Sequence, residues 1–168
     1  VNCAGSSTPT FTTDAPASMG RAVAFTGRPN TFIRIPHQGP PFDFTGSMTL
    51  SAWVKPASAS MPEGAGIIAK GSGTAEAFSL EIGVAPGGGK RYRFRINGST
   101  VIYANAAIQS GQWSMLTAVY DMASSSASLY INGVFHSSRS ICGPRLSNTR
   151  DISVGSRQSA DASYDLSF

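Results

Sequence analysis

The sequence predicts an all-β protein built as two packed antiparallel sheets, a sandwich or jelly roll. Three observations lead there. Apolar and polar residues alternate with period two over runs of four to eight residues along most of the chain, the pattern of strands with one buried face. The 18 Gly and 10 Pro residues fall between these runs, among many Ser, Thr and Asn, where turns need them. No window of about 11 residues keeps helical apolar spacing without a Gly, a Pro or strand-like alternation breaking it.

In chain order the expected strands are Ala22 to Phe25, Phe32 to Ile35, Thr49 to Val54, Gly66 to Ala69 and Phe78 to Ile82, followed by Tyr92 to Ile96, Thr100 to Tyr103, Trp113 to Tyr120, Ser128 to Ile131 and Ile152 to Val154. Asn97-Gly98 and Asn132-Gly133 stand between β-rich runs and are the strongest hairpin signals, because both residues of a tight hairpin turn need positive φ. Residues 1–20, polar and carrying Pro9 and Pro16, read as an irregular N-terminal segment. The body of the domain is expected from 21 to 168.

Composition bounds the function. The 13 basic and 9 acidic residues amount to 13% charge, about half the usual share of roughly a quarter. With 41% hydrophobic residues the chain is a folding sequence rather than a disordered one. No apolar run approaches the ~18 residues of a membrane-spanning helix. A net charge of +4, with no stacked aromatics among the basic residues, argues against nucleic acid. The chain starts at Val1 with no leader sequence, which reads as a processed mature chain or a trimmed one. Cys3 and Cys142 show no metal-type spacing. The favoured reading is a disulfide, which would add roughly 4 to 5 kcal/mol by closing so long a loop and would place the chain in an oxidising compartment. Two unrelated buried thiols are the alternative.

Ala24-Phe25-Thr26-Gly27, Phe32-Ile33-Arg34-Ile35-Pro36, Leu50-Ser51-Ala52-Trp53-Val54, Gly111-Gln112-Trp113 and Leu129-Tyr130-Ile131-Asn132-Gly133 together resemble the laminin-G-like jelly roll of the concanavalin A-like lectin and glucanase superfamily. The resemblance runs from about residue 21 to the end. It implies a fold shared by lectins, adhesion modules and some glycosidases, so the function has to come from the site. Domains it resembles often bind calcium through loop carboxylates, but Phe25-Thr26-Gly27-Arg28-Pro29-Asn30 departs from their pattern; among the remaining acidic loop positions Asp161 with Asp165 are the pair that could donate to an ion, and otherwise no cofactor is expected. Similar domains also continue into a last strand that returns beside the first. Its lack here is expected to leave an apolar seam beside Val23 and Phe25. Either a longer natural chain or the N-terminal segment Thr8 to Thr13 of a neighbouring subunit would then cover that seam by strand addition.

Trp53 and Trp113 lie in alternating strands and are expected in the inter-sheet core. Glucanases resembling this chain place two carboxylates on one strand face; Glu76 and Glu81 have the wrong parity for that, and Glu63 lies in a loop. His37 and His136 read as isolated loop histidines, and no Gly-x-Ser-x-Gly elbow is present. No catalytic residue is assigned. Arg91, Arg93 and Arg95 share one strand face at spacings of about 7 Å, a cationic row suited to acidic glycans or an acidic protein; a solvated outer face is the competing reading. The chain is thus expected to be a non-catalytic, secreted or cell-surface module for glycan or another extracellular partner. One alternative is a structural subunit of a fibre or matrix that self-assembles through a sheet edge. A second is a fragment of a larger glycoside-active enzyme.

Overall fold

The computed structural model describes residues 9–27, 31–71, 76–142, 147–157 and 168 in full, and the backbone alone of 2–4, 158 and 164–165. The architecture is the expected antiparallel sandwich, with one 3-10 turn at Pro40–Phe42 and no α-helix among the described residues. The larger sheet has seven strands: β1 (Asn2–Ala4), β4 (Phe32–Ile35), β13 (Ile152–Val154), β6 (Gly66–Lys70), β7 (Phe78–Val84), β8 (Lys90–Ile96) and β9 (Thr100–Tyr103), neighbours in that order. The smaller has four, in the order β12 (Val134–Ser140), β11 (Ser126–Ile131), β10 (Ser114–Asp121) and β5 (Met48–Val54). Two ribbons complete it: β2 (Thr10–Thr12) with β3 (Ala22–Ala24), and β14 (Arg157–Gln158) with β15 (Tyr164–Asp165).

Alternation builds the core. Phe78, Leu80 and Ile82 of β7, with Tyr92, Phe94 and Ile96 of β8, face Leu116, Ala118 and Tyr120 of β10 and Leu129 of β11 in one buried cluster. Asn97 and Gly98 take φ of 54° and 67°, and Asn132 and Gly133 take 51° and 77°, as tight hairpin turns demand. At one side of the sandwich β9 packs against β11 and β12. At the opposite side β5 ends its sheet, with β10 as its one ladder partner among the described residues.

The N-terminal segment is less irregular than expected. β1 adds to the edge of the large sheet beside β4, and β2 pairs with β3 through Thr10↔Ala24, Phe11↔Val23 and Thr12↔Ala22. The stretch regarded as a strand donor for a neighbour is thus hydrogen-bonded within its own chain at Thr10–Thr12. β12, the strand that follows the Asn132-Gly133 turn, runs on to Ser140, further than the sequence pattern indicates, because its seven residues are mostly exposed and show little apolar alternation.

Candidate functional site

The arginine row lies on the outer face of the large sheet, but its charge is largely spent inside the chain. β7 pairs with β8 through Ser79↔Arg95, Glu81↔Arg93 and Gly83↔Arg91, so the two strands set carboxylate and guanidinium side by side. Arg93, 6% exposed, donates from Nε to Glu81 Oε1 at 2.6 Å and from Nη1 to Glu63 Oε1 at 2.5 Å. Arg95 donates to Glu76 Oε1 at 2.9 Å and to the Gly98 carbonyl at 2.8 Å. Arg157 at the start of β14 reaches back to Glu81 Oε2 at 2.7 Å. Arg91 donates to the Ala104 carbonyl at 3.3 Å. The expected free cationic row is therefore a compensated network, because three nearby carboxylates answer it.

The odd spacing of Glu76 and Glu81 does not separate them. Glu76 precedes β7, so strand parity does not govern it, and both side chains enter this network fully buried. Burial first, and then the nearby Glu81 charge, push the Glu76 carboxyl above its ordinary range. Its Oε2 has no hydrogen-bond partner. Burial also works against ionised Glu63, but the Val84 N–H and the Arg93 charge outweigh it and hold that carboxyl low.

The open side of the sandwich carries a cleft of about 750 Å³ between β5 and the β2–β3 ribbon. Val23 and Phe25 form one wall, where the apolar seam was expected, and Ile68, Val154 and Phe168 also line it. Gly155 lets the Phe25 ring approach: a Cβ there would stand 2.5 Å from it. Across the cleft stand both tryptophans, and here the core assignment is corrected. The inward residues of β5 are Met48, Leu50, Ala52 and Val54, while Thr49, Ser51 and Trp53 point outward, Trp53 being 40% exposed. Trp113 likewise has the parity of outward Met115, not of buried Ser114, Leu116 and Ala118. The signal was in the sequence, since each Trp alternates with the apolar set rather than belonging to it. Trp113 Nε1 donates to Asp14 Oδ1 at 3.0 Å, and Lys55 Nζ donates to Asp14 Oδ2 at 2.5 Å. These two bonds, Lys55 first, lower the Asp14 carboxyl below its usual range.

The remaining candidates are dispersed. Asp161 lies outside the described residues, as do the side chains of Asp165 and Cys3; Cys142 is exposed with a free thiol. No group of three His, Cys, Asp or Glu side chains converges to hold a metal among the described residues. His37 is not the isolated loop residue it resembled. Its Nδ1 is 3.2 Å from Nζ of buried Lys70, and its backbone N–H donates to Asp151 Oδ1 at 2.9 Å. Lys70, held low by burial against the nearby Asp43 and Asp151 charges, also donates to the Arg150 carbonyl at 2.6 Å, which ties the loop before β13 to β6. His136 accepts the Asn105 N–H at 3.2 Å.

Comparison with known proteins agrees with the fold. Residues 25–166 match a laminin-G-type family profile described as the concanavalin A-like lectin/glucanases superfamily. No curated protein sequence matches the chain. Domain 4 of AbnA, an extracellular arabinanase from Geobacillus stearothermophilus solved with arabinotriose, superposes with a TM-score of 0.61 at 18% identity over 96% of this chain and 72% of its own. The CBM40 of a Ruminococcus gnavus sialidase, solved with sialyllactose, gives 0.56 at 13% over 82% and 85%. Domains LG4-5 of mouse laminin α1 give 0.52 at 14% over 75% and 32%. At these identities the likeness is one of fold.

Proposed function

We propose, on the premise that the chain belongs to the concanavalin A-like lectin/glucanases superfamily, that it is an extracellular, non-catalytic module that binds glycan. The observation that carries this reading is the cleft of about 750 Å³ with Trp53 exposed on its wall. Flat aromatic faces with a few fixed polar groups are how proteins hold amphipathic ligands such as sugars. Lys55, Asp14 and Arg21 provide those polar groups. Neighbours solved with arabinotriose and sialyllactose favour the same class of ligand. A glycoside-active reading has weaker support: Glu76 and Glu81 are fully buried and bonded to arginines, away from this cleft. Self-assembly through the open edge of β5 is a second reading, favoured by that edge alone, since Thr10–Thr12 are engaged within the chain. Screening the protein on a glycan array, with its Trp53→Ala variant alongside, tests the proposal. Retention of defined sugars that the variant loses supports it, whereas no retention together with concentration-dependent polymerisation favours assembly.

A further inference from the structure

The cleft beside Trp53 already holds a carboxylate, and that carboxylate belongs to the chain. Asp14, which lies between β2 and β3, accepts from Lys55 Nζ at 2.5 Å on one oxygen and from Trp113 Nε1 at 3.0 Å on the other. An ammonium and an indole N–H can only donate. Converging on the two oxygens of one acid, they form a receptor for a carboxylate.

The occupant is weakly committed to its place. The Asp14 side chain is 56% exposed and that of Lys55 30%, so water screens their bridge, and an incoming anion exchanges for it at little cost. Arg21 lines the same cleft, and among the described residues no carboxylate pairs with its guanidinium. The charged side chains that line the cleft are therefore Arg21 and Lys55 against Asp14, an excess of one positive side chain.

We infer that this cleft binds an acidic sugar, whose carboxylate takes the position of the Asp14 carboxylate on Lys55 and Trp113 while its ring stacks on Trp53. The inference rests on the reading of the chain as a glycan-binding module and adds to it a ligand class and a competing residue.

Calorimetric titration with matched pairs tests it. Tetragalacturonate is compared with its methyl ester, and sialyllactose with lactose, so that a uronate source is separated from a sialate one. Wild type is expected to prefer the acid of at least one pair about tenfold, in line with a charge pair at a partly exposed site. Asp14→Ala is expected to raise the preference for the acid over its neutral partner by about a further three- to tenfold. Lys55→Met is expected to erase the preference. Asp14→Asn, which keeps the side chain's shape, should fall between wild type and Asp14→Ala, and matching thermal unfolding confirms that all variants fold. Equal binding of acid and neutral sugars in both pairs, or an Asp14→Ala variant that gains nothing, overturns the inference and leaves the glycan reading standing. If no saccharide of any kind binds wild type or Asp14→Ala, the glycan reading itself falls, and this inference with it.

Discussion

The Arg93 side chain lies directly over Gly83: a Cβ on Gly83 would sit 2.4 Å from Arg93 Cδ and Nη1. This glycine's backbone is ordinary for any residue, so the requirement is purely one of space. Gly83→Ala is expected to push Arg93 off Glu81 and Glu63. Breaking a buried ion pair costs about 3 to 5 kcal/mol, and partial adjustment should leave a loss of about 2 to 4 kcal/mol in urea unfolding. An unfolding midpoint equal to wild type would show that Arg93 has another comfortable position.

Replacing the arginines separates the two accounts of the row. Were Arg93 a free ligand contact, Arg93→Met would spare folding and weaken binding of acidic glycans. With Glu81 buried beneath it and Glu63 beside it, the expected result is the reverse. Stability should fall by about 3 kcal/mol or more, and glycan affinity measured in the cold, where the variant stays folded, should be unchanged. A stable Arg93→Met protein with reduced affinity for acidic sugars would restore the row as a binding site.

Glu76 gives the fold a definite pH signature. Its carboxyl is raised above the ordinary 4.5 by burial and then by Glu81, so the folded chain holds that proton more tightly than the unfolded chain. Stability linked to Glu76 is thus fully present below the unfolded value and is lost as pH rises through the folded one. Glu63, whose carboxyl is lowered, acts in the opposite sense: its contribution is present above the unfolded value and is lost as pH falls. Comparing wild type with Glu76→Gln cancels Glu63 and isolates Glu76. The advantage of wild type over the variant should shrink as pH rises from about 4 toward neutrality, read by urea unfolding at each pH. An advantage independent of pH would mean that Glu76 titrates normally.

Parity explains what the sequence made legible and what it hid. The strands of the core could be read because inward residues such as Phe78, Leu80 and Ile82, or Leu116, Ala118 and Tyr120, recur at every second position, and the Asn-Gly turns fix where two hairpins close. The same rule assigns Trp53 and Trp113 outward. The general tendency of large aromatics to be buried points the other way, and that conflict masks the cleft in the sequence. The arginine network stayed hidden for another reason. Arg93 and Arg95 share one face of β8, but their carboxylate partners come from a loop at Glu63, from Glu76 before β7 and from Glu81 on the neighbouring strand, and Glu81 is shared with Arg157, some sixty residues further on. Alternation within a strand carries no information about such contacts. Strands β1, β2 and β12 lie at edges or in ribbons, where little apolar surface is buried and the periodic signal fades.

The exposed tryptophan offers the sharpest separation of binding from folding. Trp53 stands on the outward face of β5 opposite Met115, 40% exposed, so Trp53→Ala removes only the packed part of the ring and should lower stability by about 1 to 3 kcal/mol while leaving the variant folded. If sugar rings stack on it, it is the aromatic anchor of the site, and its loss should lower glycan affinity about tenfold or more. Phe135 supplies the control. It is 55% exposed on β12, at the far edge of the same sheet and outside the cleft lining, so Phe135→Ala removes a comparable apolar surface without touching the proposed site. Titration of both variants with any sugar retained on the array should show the loss for Trp53→Ala alone. Equal losses would indicate non-specific adhesion through exposed aromatics, and full affinity in Trp53→Ala would move the binding site away from the cleft.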